Sequence, residues 1–175
     1  MPTQKQKRDN ISIQPKSVSE LRKAYKHFRY EVAMPRYSGD VLTGPNPPRG
    51  LAHAMAMESF LIHARNLHDF FYGLEEAQKG NKRVRGDDVF VEHFFDGDGW
   101  HSPVENRLTG DEIDRVNKRL AHLTYSREDG RYEDWDFKGI HSRLLALVEL
   151  FNIKVSFDKK VERNGLPGHY FYEEK

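Results

Sequence analysis

Four stretches of this chain repeat apolar residues at alternating steps of three and four, the spacing that returns to one face of a helix. In the first, Val18, Leu21, Tyr25, Phe28 and Val32 form the seam. Ser17 and Glu20 open it as a capping box, each side chain satisfying an amide that the helix terminus leaves unpaired. Pro35 is expected to end this helix, and Pro35–Gly50, with four prolines and three glycines, is expected to be a loop. A second helix is expected over about Leu51–Tyr72, with Met57, Phe60, Ala64, Leu67 and Phe71 as its seam. Met55, Ile62 and Phe70 fall on its other faces, so it is apolar nearly all round, the pattern of the most buried helix in a bundle. It also carries Glu58, His63, Arg65, His68 and Asp69, which makes it the place to look for buried polar chemistry.

Thr109-Gly110-Asp111-Glu112 repeats the capping-box pattern and opens a third helix, whose seam is Ile113, Val116, Leu120 and Leu123. After the polar, glycine-containing turn Ser126–Asp134, Asp134 or Asp136 caps a fourth helix with Phe137, Ile140, Leu144, Leu147 and Phe151 on one face. Gly73–Leu108 is less regular: Lys79–Arg85 is a basic patch, and Asp87–Phe95 is expected to be a short helix that caps the bundle with Val89, Phe90, Phe94 and Phe95. A connection of this length is uncommon in a compact domain unless it forms a lid or a binding surface. The segment Ile153–Lys175 starts by alternating at Ile153, Val155 and Phe157, which suits a frayed helix end or a short strand.

These patterns predict an all-α fold, an antiparallel four-helix bundle with a long lid-like connection between helices two and three. Residues 1–16 read as a disordered polar tail, 17–152 as the helical bundle domain and 153–175 as a C-terminal extension. The expected core contains Val18, Phe28, Phe60, Leu67, Ile113, Leu120, Ile140, Leu144 and Leu147.

Composition narrows the chemistry. At 175 residues the chain is long enough for one domain to bury a core without covalent staples. It has no cysteine, which excludes disulfides, thiolate metal sites and cysteine nucleophiles and suits a cytoplasmic protein. The 28 basic and 27 acidic side chains leave a net charge of +1, so any nucleic-acid contact has to be made by a local basic face rather than by bulk charge. No apolar run approaches the ~20 residues that span a bilayer, and no apolar stretch follows the basic Met1–Asn10 segment to make it a signal peptide. A soluble cytoplasmic protein without membrane contact is expected.

Nine histidines invite a metal reading, but a helical site wants ligands at i,i+3 or i,i+4. His63 and His68 are five apart and diverge on the helix. Asp96-Gly97-Asp98-Gly99 lacks the third acidic ligand and the sixth-position glycine of a calcium loop. Neither a metal nor a cofactor is expected. Phosphate-cradling glycine loops and a nucleophile elbow are absent as well.

Arg115, Arg119 and His122 share one stripe of the third helix, setting an imidazole that titrates near neutrality beside two fixed cations, an arrangement suited to phosphate. Arg115 and His122 resemble the Arg-x4-6-His motif of the HEPN superfamily, helical bundles named for nucleotide binding in higher eukaryotes and prokaryotes. The Arg-x4-6-His pattern also occurs at Arg22…His27 and Arg163…His169, but the helix-three copy follows a cap and precedes Tyr125, while the last copy contains Gly165, Pro167 and Gly168. Val116 stands where catalytic members often carry a polar residue. The resemblance implies RNA or nucleotide binding and a metal-independent ribonuclease acting in a cleft between two subunits of a homodimer. Arg115 and His122 would be catalytic, and Arg119, with Tyr125, would bind substrate. The plainer alternative is a solvated flank, about 100° from the apolar seam, in which Asp111 pairs with Arg115.

Arg65 is spaced to pair with Asp69, with Glu58 two turns earlier, either as a buried network that fixes packing or as the cation of a ligand pocket. Two further functional classes therefore stand beside ribonuclease chemistry. One is a protein-interaction module that uses the 73–108 segment and exposes Phe90, Phe94, Phe95 and Trp100. The other is a small-molecule site in the bundle near Arg65.

Overall fold

The computed structural model describes residues 15–81, 83–95, 99–121 and 135–155, with side chains through residue 118 in the third stretch. Among them are four α-helices and no strand: α1 (Val18–Thr43), α2 (Gly50–Gln78), α3 (Gly110–Ala121) and α4 (Phe137–Lys154). α1, α3 and α4 start where their caps place them, while α2 begins without a side-chain cap. The Ser17 amide donates to Glu20 Oε2 at 2.8 Å while the Glu20 amide donates to Ser17 Oγ at 3.3 Å. Thr109 and Glu112 make the same reciprocal pair at 2.7 and 3.1 Å. For α4 the cap is Asp136, whose Oδ1 accepts from the Gly139 amide at 2.8 Å.

α1 and α2 pack antiparallel, with Phe28 on Phe70 (ring centroids 4.7 Å apart) toward one end and Gly39 against Phe60 toward the other. α4 closes over both, its Phe151 beside Tyr25 and Phe28 and its His141 beside Gly39. A Cβ on Gly39 would stand 3.1 Å from Phe60 and 3.3 Å from His141, so the missing side chain lets the three helices approach closely. α3 is short and leans on α2, and it is tied to α4 by Arg143 Nη2 on Glu112 Oε1 at 2.6 Å.

α1 differs from expectation at Pro35. The helix runs through it to Thr43 because Pro35, Ser38, Gly39 and Leu42 are buried. Burial against the neighbouring helices outweighs the lost amide donor, a local cost of ~3 kcal/mol. Side chains also engage the backbone there: Ser38 Oγ donates to the Met34 carbonyl at 2.7 Å and Thr43 Oγ1 to that of Gly39 at 2.8 Å. The loop is therefore confined to the residues between Thr43 and Gly50.

α2 likewise continues past Tyr72 to Gln78, since Gly73, Leu74 and Ala77 extend its buried face; Gly80, at φ 80°, turns the chain away. It is not buried all round, for Leu51 is 78% and Met55 63% exposed. Of the expected core, Phe28, Phe60, Leu67, Ile140, Leu144 and Leu147 are buried and Ile113 is partly buried against them. Val18, in the first turn of α1, is 46% exposed. Leu120 lies outside the described side chains.

The connection between α2 and α3 holds two single-turn 3-10 helices, Val91–Phe94 and Val104–Asn106, in place of an α-helix over Asp87–Phe95. Phe90, Val91, Phe94, Trp100 and Leu108 from this segment belong to the core. α4 ends at Lys154 with Val155 buried after it, and the rest of the C-terminal segment lies outside the described residues, as do residues 1–14. No described helix is long and apolar enough to cross a membrane.

Leu144→Ala should cost about 2–5 kcal/mol in chemical denaturation, and Val18→Ala less than about 0.5 kcal/mol apart from helix propensity. Equal effects at the two positions would contradict this division of core from surface.

Candidate functional site

Arg115 is positioned from both sides. Its guanidinium carbon lies 4.2 Å from the ring centroid of Trp135, at the head of α4, and its Nη1 lies 3.9 Å from Asp111 Oδ2. At this distance over the ring the guanidinium makes a cation–π contact with the indole. Glu112 fastens this corner, capping α3 through Thr109 and holding Arg143 of α4. Arg119 follows Arg115 by one turn within α3; its side chain, His122 and Tyr125 lie outside the described residues. Of the sequence-derived stripe, the structure thus describes Arg115 and its two neighbours.

Arg65 is half-buried on α2, and among the described residues no ion pair joins it to Asp69; Glu58 is exposed. Asp69 Oδ1 lies 3.9 Å from His68 Nδ1 instead. Because Asp69 is 35% exposed, burial does not force an arginine onto it.

A polar junction that spacing along one helix does not signal joins α1 to α2. Glu31 Oε2 meets His63 Nδ1 at 2.7 Å and accepts from Asn66 Nδ2 at 3.0 Å, while Tyr30 stands edge-on to the imidazole. A carboxylate on one ring nitrogen fixes the orientation of the ring. His63 and Asn66 are one turn apart on α2, but Glu31 lies on another helix and becomes their partner only through packing.

A third cluster closes the end of α2. Arg107 reaches Glu76 at 3.0 Å and also pairs with Glu75, and its guanidinium covers the Tyr72 ring at 4.6 Å. The Tyr72 hydroxyl donates to the Pro103 carbonyl, and burial pushes its pKa up to about 12, so it stays a neutral donor. Glu92, on the first 3-10 turn, has a buried Oε2 without a hydrogen-bond partner. Burial, with a smaller push from the charge on Glu75, raises its carboxyl to about 7.

Along the other side of the bundle α1 and α4 bound an open groove of about 470 Å³, with Arg29, Arg36 and Asp40 from α1 and Val148 and Asn152 from α4. Beyond it His141 has its pKa lowered by burial, Asp40 opposing and Arg36 adding to the shift. Among the described residues no three histidine, aspartate or glutamate side chains converge as a metal site would require.

Glu92 gives the stability a pH dependence of definite sign. Its folded pKa lies above the ordinary 4.5, so its contribution is complete below about pH 4.5 and declines as pH rises through about 7. Glu92→Gln should therefore gain stability relative to wild type between acidic pH and pH 8, read as urea midpoints. A difference that stays constant with pH would contradict the assignment.

Comparison with protein families, with curated proteins and with solved structures returns no match to this chain.

Proposed function

We propose that this chain is an RNA- or nucleotide-binding helical bundle of HEPN-like character, acting as a metal-independent endoribonuclease. One observation carries the proposal: Arg115, the arginine of the Arg-x6-His pattern, is held on the Trp135 face at the junction of α3 and α4, with Arg119 one helical turn away. A guanidinium placed in advance by an aromatic face and a capped helix loses little freedom when it takes a phosphate.

In the chemistry proposed, His122 withdraws the proton of a ribose 2′-hydroxyl, whose oxygen attacks the adjacent phosphorus. The bond to the 5′-oxygen breaks, that oxygen takes up a proton, and a 2′,3′-cyclic phosphate remains. Arg115 stabilises the charge gathering on the phosphoryl oxygens, Arg119 positions the phosphate, and Tyr125 and Arg65 contact the substrate. A homodimer that brings two copies of His122 to one cleft completes the proposed site. For the 73–108 interaction module, an exposed aromatic surface was the requirement; Phe90, Phe94 and Trp100 are instead buried.

Purified protein incubated with structured and unstructured RNA should cleave in the presence of EDTA and leave cyclic-phosphate ends. His122→Ala should lower the rate by about 10²–10⁴-fold and Arg115→Ala by about 10²–10³-fold. Equal cleavage by wild type and both variants, or no cleavage by any at high protein concentration, would overturn the proposal.

A further inference from the structure

α2 carries a second apolar stripe that the core does not use. Leu51, Met55, Glu58, Ile62 and Arg65 follow one another at steps of four, three, four and three, so they share one face of the helix over roughly 21 Å. By the helical rotation of about 100° per residue, that face lies opposite the seam of Phe60, Ala64, Leu67 and Phe71, all four of which are buried. Leu51, Met55 and Ile62 are 78%, 63% and 42% exposed. Apolar side chains in line on a surface, unlike ones scattered singly, mark a contact face. Glu58 and Arg65 sit on the same stripe, and among the described residues neither has a hydrogen bond or an ion pair. Both charges are therefore available to something outside this protomer.

We propose that this stripe pairs with the same stripe of a second copy of the chain, the two α2 helices running antiparallel about a two-fold axis that passes between Glu58 and Ile62. A two-fold interface has to be self-complementary, because every contact is made twice with the roles exchanged. The order of residues on the stripe meets that condition. With the axis so placed, Met55 and Glu58 of one protomer lie opposite Ile62 and Arg65 of its partner, and the reverse contacts follow by symmetry. Two acid–base pairs then flank an apolar centre made of Met55 and Ile62 from both copies, and Leu51 extends the apolar seam at each end. A parallel pairing sets Glu58 on Glu58 and Arg65 on Arg65, so the charges select the antiparallel arrangement. A lipid surface fits less well, since interfacial helices line their apolar face with cations and this stripe holds one acid for its one base. A contact four turns long is at the small end of specific interfaces, so the dimer is weak and concentration-dependent. The pairing rests on the exposed face of α2 and not on the cleavage chemistry.

Sedimentation equilibrium of the full chain, from about 1 to 500 µM, reads the association directly. Wild type should pass from monomer to dimer within that range. Ile62→Glu, at a residue with no part in the proposed chemistry, should weaken association by about tenfold or more while keeping the wild-type circular dichroism. Glu58→Arg and Arg65→Glu, each alone, set like charges opposite each other at both contacts and should weaken it by a similar factor. Mixed in equal amounts, these two single variants present opposite charges at both contacts and should associate as wild type does, which misfolded proteins would not do. A chain that stays monomeric at every concentration would overturn the proposal, as would association indifferent to Ile62→Glu. Association lost in Ile62→Glu but unmoved by the charge variants, or a mixture of the two that stays monomeric, would overturn it too.

Discussion

Phe151 is fully buried where three helices and the long connection meet, and the rest of the structure depends on that ring. Its centroid lies within 4.9 to 6.4 Å of Tyr25 and Phe28 on α1, Phe70 and Phe71 on α2, and Phe94, Phe95 and Trp100 on the connection. Most of these pairs are tilted or edge-on, the geometries in which aromatic quadrupoles attract. Trp100 also stacks between Phe71 and Phe95. The connection cannot leave the helices without carrying Phe94 and Trp100 into water and opening a cavity around Phe151.

With the connection committed to the core, the polar clusters have defined tasks around it. Arg107 clamps the end of α2 through Glu75 and Glu76, and Glu31 joins α1 to α2 through His63 and Asn66. Glu112 joins α3 to α4 through Arg143. The last of these matters for the proposed chemistry, because it fixes the corner at which Arg115 rests on Trp135. A phosphate-handling group gains from such advance positioning, since little reorganisation remains at the moment of reaction.

Elements with a local cause were legible in the sequence. Ser17, Thr109 and Asp136 each announce a helix start through hydrogen bonds reaching three residues along the chain, and the seams of α1, α2 and α4 supply most of the expected core. Features with a distant cause were not. The rule that proline stops a helix is local, and it yields at Pro35 because burial of Leu42 and Gly39 comes from α2 and α4. The helix expected over Asp87–Phe95 sets Phe90 and Phe94 against the bundle; both are buried, as is Trp100, but from a 3-10 turn at Val91–Phe94 whose contacts are made elsewhere in the chain. The Glu31–His63 pair spans 32 positions, and no periodicity within one helix encodes it. At the proposed phosphate stripe, spacing placed Arg115 on α3, while its support by Trp135 is a tertiary contact.

That the aromatic cluster binds the connection and the helices into one cooperative unit is tested most directly by native-state hydrogen exchange. The amides of His93 and Phe95, which donate to the Phe90 and Glu92 carbonyls, should be protected with an opening free energy close to that of the buried middle of α2 around Leu67. Phe151→Ala should lower both together. Fast exchange at His93 and Phe95 while α2 stays protected would show that the connection opens on its own, and would contradict the account.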